Sequence, residues 1–163
     1  MSANPHLRTK IPLPGLLEIA SDAMYAEFRA ELIESGYGDI RPTHGCVFRF
    51  VHEDGMRLTE LAALAGMTKQ SVGEVVDGLT ELGYTERFPD PEDRRAKLIR
   101  LTNKGEQAQR TGLALFDRLE QRLGERFGTD RMAEMRSLLE EIAYAEPPQL
   151  PPEIAPPALA PGS

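Results

Sequence analysis

Residues 58–105 read LTELAALAGMTKQSVGEVVDGLTELGYTERFPDPEDRRAKLIRLTNKG, and three local signals follow one another along them. Leu61, Ala62 and Leu64 give a short helix its apolar side, Thr59 offers it a cap, and Gly66 supplies the left-handed residue that ends it. Thr68 caps a second helix, Lys69 to Leu82, which Gly83 stops. Val72, Val76, Leu79 and Leu82 fall on one face of that helix, and Lys69, Gln70, Gly73 and Asp77 on the other. Two short helices joined by a glycine turn make a helix-turn-helix. Next come two β-prone runs, 84–88 and 97–102, separated by Pro89, Asp90 and Pro91 and by charged residues up to Arg95. A hairpin with a long basic tip directly after a helix-turn-helix is a wing.

These residue types suit DNA. The N-terminal half of a recognition helix is the part that meets base edges. Gln70 can pair with adenine, and Lys69 can reach guanine or a phosphate. Thr68 and Ser71 can donate to phosphate where the helix dipole is positive. Gly73 would let the backbone come close to the groove. At the hairpin tip Arg94 and Arg95 are long enough for a narrow minor groove, with Lys97 beside them. Asp90 and Asp93, which phosphate repels, are expected to hydrogen-bond the turn or to orient an arginine.

Outward from this unit the pattern is helical. Thr102 or Asn103 caps a long helix to about Phe127, striped by Phe116, Leu119, Leu123 and Phe127. After Gly128, Thr129 or Asp130 caps a last helix carrying Met132, Met135, Leu139 and Ile142. Upstream, Leu16, Leu17, Ala20, Ala23, Met24, Phe28 and Leu32 mark one helix face, ended by Gly36 and Gly38. Thr43 caps a second helix with Val47, Phe48, Phe50 and Val51. The expected fold is mainly α with a small β-hairpin wing. It consists of a winged helix-turn-helix at 41–102 with dimerisation helices at 15–36 and 104–145, forming one unit over 15–146. Residues 1–14 read as an extended arm. Residues 147–163 hold seven prolines in seventeen positions, a composition expected to be disordered.

The chain of 163 residues carries a net charge of −7, which opposes general attraction to nucleic acid. The charge is uneven, however. From Tyr84 to Lys104 the bases Arg87, Arg94, Arg95, Lys97, Arg100 and Lys104 outnumber the acids Glu86, Asp90, Glu92 and Asp93 by six to four. No apolar run approaches the roughly 20 residues of a membrane helix, and the N-terminus lacks the apolar core of a secretory signal, so a cytoplasmic location is expected. No phosphate loop, nucleophile elbow or zinc-protease motif is present, so neither catalysis nor a cofactor is expected.

The stretch 58–105 resembles the MarR family of regulators. The resemblance is carried by the helix-turn-helix, then Leu79, Leu82, Gly83 and Tyr84, then the wing from Asp90 to Lys97, then Leu101, Thr102 and Gly105. With the flanking helices it covers roughly residues 15–145. It implies a homodimer on double-stranded, pseudo-palindromic DNA with half-sites about 34–36 Å apart. It further implies a transcription regulator, most often a repressor, released by a small ligand or oxidant. In the family's Asp-x-Arg-x-x-Arg wing pattern, Asp90 and Arg95 match the ends, whereas Glu92 replaces the middle arginine. Glu74 is a second departure.

A small hydrophobic or aromatic effector would sit near Met24, Phe28, His44 and Phe48, which otherwise read as core. The single cysteine, Cys46, is either a small buried hydrophobe or an oxidant-sensing thiolate. His44 and His52 fall roughly on one helix face with no further ligand cluster, so no metal site is expected. The alternative function is a winged-helix protein-interaction module, favoured by the acidic charge and by Glu74 and Glu92.

Overall fold

A computed structural model describes residues 10–93 and 95–145. Arg94, most of the N-terminal arm and the proline-rich tail lie outside the described residues. The helices are α1 (Leu13–Glu34), α2 (Gly45–Phe50, preceded by a 3-10 turn at Pro42–His44), α3 (Leu58–Ala65), α4 (Lys69–Glu81), α5 (Asn103–Phe127) and α6 (Thr129–Tyr144). Three short strands, β1 (Met56–Arg57), β2 (Thr85–Pro89) and β3 (Lys97–Leu101), form an antiparallel sheet in the order β1-β3-β2.

The helix-turn-helix forms for local reasons. Thr68 caps α4, its Oγ1 accepting from the Ser71 amide at 3.1 Å. Gly66 ends α3 in the left-handed region at φ 62°, where a Cβ would be strained. Val72, Val76 and Leu79 of α4 are fully buried with Leu61 of α3. Burying one such side chain stabilises the fold by about 1.5–3 kcal/mol. Leu82 is only half-buried, because α4 stops at Glu81 and Leu82 serves as its cap.

Several expected caps are displaced. Arg57, not Thr59, caps α3, its amide donating to Glu60 Oε2 at 2.9 Å. Leu58 thereby joins the helix and Thr59 falls in its first turn. Thr43 lies inside the 3-10 turn, which the Arg41 amide closes by donating to His44 Nδ1 at 3.1 Å. Gly128 precedes α6 without a side-chain cap, and Thr129 and Asp130 are its first residues. Thr102, rather than Asn103, caps α5. Helix α1 begins and ends two residues earlier than its apolar pattern suggested, with Pro12 at its cap.

Strand β1 has no counterpart in the sequence reading. Its two residues pair Met56 with Ile99 and Arg57 with Leu98, while β2 pairs with β3 from Thr85–Leu101 to Pro89–Lys97. Where this sheet meets α5, the backbone at Gly105 comes close to the Tyr84 carbonyl. The Tyr84 ring is buried, and its hydroxyl donates to Asp39 Oδ1 at 2.7 Å. Its carbonyl accepts from the Thr102 amide at 3.0 Å. The Thr102 hydroxyl donates to the Gly83 carbonyl at 2.6 Å, and Lys104 Nζ donates to the Leu82 carbonyl at 2.8 Å. This joint fixes the end of the recognition helix to the start of α5.

Helices α1, α5 and α6 leave large apolar side chains exposed, among them Leu13, Leu113, Leu138 and Ile142. None of the residues of α6 is buried. Among the described residues no helix is long and apolar enough to cross a membrane.

Candidate nucleic-acid interface

Helix α4 presents Thr68, Lys69 and Gln70 as exposed residues at its start. Ser71 is half-buried, its hydroxyl 2.8 Å from that of Thr68. Gln70 Nε2 donates to Glu74 Oε1 at 3.4 Å, a weak contact that base-edge partners can displace. Gly73 is placed differently from its neighbours. It is half-buried, and a Cβ there would lie 3.7 Å from Leu58 Cδ2. It therefore faces α3, and a side chain there would meet Leu58 at ordinary van der Waals distance, so the packing of the two helices does not require a glycine.

In the wing, both aspartates bind the turn. The Asp93 carboxylate accepts from the Arg95 amide at 3.0 Å, and the Asp93 carbonyl accepts from the Ala96 amide at 2.8 Å. The Asp90 amide donates to the Ala96 carbonyl at 3.1 Å, closing the loop, and Asp90 Oδ1 accepts from the Glu92 amide at 2.9 Å. The arginine that Asp90 orients is not in the wing. Asp90 Oδ2 accepts from Arg57 Nε at 2.9 Å and from Arg57 Nη2 at 2.6 Å. The sequence reading missed Arg57, because nothing local links it to a carboxylate so far along the chain.

These bonds set a pH dependence. The Glu92 amide, and then the Arg57 guanidinium, hold the Asp90 carboxyl below the usual carboxylate range. A carboxyl lowered in the folded state adds stability above its unfolded pKa of about 3.9, and that contribution is lost as pH falls through the lower folded value. The wing should therefore stay seated through neutral and mildly acidic pH and loosen only below about pH 4. Amide exchange of Glu92 followed down in pH measures this, and loosening already at about pH 6 would contradict it.

Ion pairs decide which cations are available. Arg87 pairs with Asp77 of α4 at 2.8 Å, Arg100 with Glu86 at 2.6 Å, and Lys104 with Asp39 at 3.9 Å. Lys69, Arg95 and Lys97 are exposed and enter no ion pair among the described residues. The local excess of base is thus concentrated at the start of α4 and along the wing.

Of the four residues expected to line an effector pocket, only His44 lines either of the two grooves described below. Phe28 stacks on Phe116 of α5 at 4.0 Å, whereas Phe48 meets the Tyr84 ring edge-on at 5.9 Å. Met24 is half-buried on α1. His44 is buried beside a groove of about 730 Å³ that Arg41, Ser71, Glu74 and Gly78 also line. A second groove, about 470 Å³, lies between the end of α2 and the start of α5 and is lined by Phe50, Leu101 and Gln109. Met24, Phe28 and Phe48 line neither groove. Burial, then Arg41, lowers the His44 pKa, so its ring is neutral at pH 7.

Cys46 is half-buried and its Sγ donates to the Thr43 carbonyl at 3.4 Å. Burial raises its pKa, which disfavours the thiolate that an oxidant sensor needs. His52 is exposed and lies beyond α2, which ends at Phe50, so it does not share a helix face with His44.

A recognition helix with a polar, dipole-positive start, followed by a cationic hairpin on the same three-stranded sheet, defines a winged-helix DNA-binding protein. The MarR family model matches residues 39–96. The solved structure of MarR aligns with 85% of this chain and 92% of its own, at 29% identity and a TM-score of 0.69. A MarR-family transcriptional regulator from Rhodococcus sp. RHA1 aligns over 80% of this chain and 93% of its own, at 25% identity and a TM-score of 0.63. A mutant of MepR from S. aureus, bound to an oligodeoxyribonucleotide, shares the fold over 82% of this chain and 96% of its own, at 21% identity and a TM-score of 0.57. A comparison with curated protein sequences returned no match. The chain is thus similar to MarR-family, winged-helix transcriptional regulators over most of its length, and the family model covers its helix-turn-helix and wing.

Proposed function

We propose that the chain represses transcription by binding a pseudo-palindromic operator as a homodimer, and that a small ligand releases it. The observation that carries this is the placement of Lys69, Arg95 and Lys97, free of internal ion pairs among the described residues, on the two elements that meet DNA in a winged helix. In this reading Thr68 and Ser71 hold phosphate, Lys69 and Gln70 meet base edges, and Lys97 and the arginines at the wing tip, Arg94 and Arg95, take the flanking minor groove. The oligonucleotide-bound MepR structure is a precedent in the same fold. For release, a ligand in the groove beside His44 would press on Ser71 and Glu74 of α4. The raised Cys46 pKa speaks against oxidation as the trigger.

The homodimer draws support from α6, where Met135, Leu138 and Ile142 recur at spacings of three and four and are all exposed. A second copy would cover them. The double variant Leu138→Glu/Ile142→Glu should sediment as a monomer and lose operator affinity by roughly 100-fold or more, since each half-site would bind alone. Sedimentation with the native mass would overturn the dimer. Titration of the upstream DNA of its own gene, at about 50 and 200 mM salt, tests the wider proposal. Binding should weaken steeply as salt rises, and absence of binding at low salt to any genomic fragment would sink it.

A further inference from the structure

Arg57 carries no DNA-facing role in the reading above, yet its side chain joins the two halves of the reading unit. Its backbone is held on both sides: it pairs with Leu98 in the sheet, and its amide donates to Glu60 at the start of α3. From that base Nε and Nη2 both reach Asp90 Oδ2. The Asp90 side chain is only 5% exposed, against 41% for Arg57. A buried carboxylate stripped of its partner is strongly disfavoured, so Asp90 stays where Arg57 holds it. The other Asp90 oxygen takes the Glu92 amide, the first turn of the loop whose tip bears Arg95. One chain of hydrogen bonds therefore runs from Glu60 through Arg57 and Asp90 to Glu92, out of the first helix of the motif and into the wing. With Glu92 standing where the resemblance leads one to expect an arginine, the partner for Asp90 comes from the opposite side of the sheet.

We propose that Arg57 is a positioning residue for DNA recognition, which seats the wing by gripping Asp90 and so sets where Arg95 meets the operator. This rests on the assignment of the wing to DNA made above. Arg57 needs no contact with DNA of its own to act in this way.

The test uses the full chain carrying Arg57→Gln, Arg95→Ala, or both. In the free protein, Arg57→Gln should speed amide exchange of Glu92 and Asp90 by about 10-fold or more, while the amides of α4 keep their protection. On operator DNA it should weaken binding by about 10-fold, yet by clearly less in the Arg95→Ala background, because much of its effect runs through that arginine. Arg57→Lys, which keeps the charge without the two-bond grip, should show the same pattern at smaller amplitude. Unchanged exchange at Glu92 would overturn the proposal. So would losses that simply add, which would mean that Arg57 touches phosphate itself. Should Arg95→Ala alone leave affinity intact, the wing's assignment to DNA fails, and exchange at Glu92 still decides whether Arg57 seats it.

Discussion

Gly105→Ala should cost about 3–5 kcal/mol of stability and lower the melting temperature by roughly 10 °C or more. A Cβ at this position would lie 2.0 Å from the Tyr84 carbonyl oxygen and 3.2 Å from Leu101 Cβ. The first approach is far inside van der Waals distance, and it is to backbone. Tyr84 has little freedom to yield, since its amide donates to the Leu79 carbonyl at 2.8 Å, its carbonyl takes the Thr102 amide and its hydroxyl is tied to Asp39. The helix start has no more freedom, because the Gly105 amide donates to Thr102 Oγ1 at 3.1 Å. Gly78→Ala is the matching control. No atom lies within 4 Å of a Cβ there, so it should stabilise α4 by up to about 1 kcal/mol. Thermal denaturation of both variants reads the contrast, and a Gly105→Ala protein that melts with the parent would show the joint to be loose.

Arg95→Ala should weaken operator binding by roughly 10- to 100-fold at fixed salt, with little change in melting temperature. The wing backbone at this point is held by Asp93 and Ala96, not by the arginine side chain. Truncation therefore takes a cation away from the DNA and leaves the hairpin standing. If the guanidinium neutralises phosphate charge, the plot of log affinity against log salt should flatten by about 0.9 for each phosphate left without its cation, and by twice that in a dimer. If it also reads a narrow minor groove, the preference for A·T pairs flanking the half-sites should relax. Fluorescence anisotropy over a salt series measures both effects. An unchanged slope with unchanged affinity would remove Arg95 from the interface.

The parts of this architecture that were legible in the sequence are those governed by neighbours. Thr68 caps α4 through a residue three positions on, and Val72, Val76 and Leu79 announce the buried face by spacing alone. The wing was visible because Pro89 to Arg95 interrupts two β-prone runs. Interactions made at long range were not visible. Arg57 outcompetes Thr59 as the cap because β1 pairs with β3 and delivers the chain to α3 from an extended conformation. A propensity argument sees the threonine and not the strand. The effector-pocket residues show a related limit. Periodicity shows that Phe28 and Phe48 face inward but not what they meet, and here Phe28 meets Phe116 while Phe48 meets Tyr84.

The two-residue strand β1 has a consequence for how the protein folds. Its register, Met56 against Ile99, closes a long segment of chain that contains α3, α4 and β2. Closing such a segment costs entropy that two residue pairs repay poorly, unless the enclosed helices have already packed on one another. The sheet should thus be completed after the helix-turn-helix has condensed, and the wing should be among the last elements to order and the first to open. Substitutions in β1 would then speed unfolding while leaving the folding rate almost untouched.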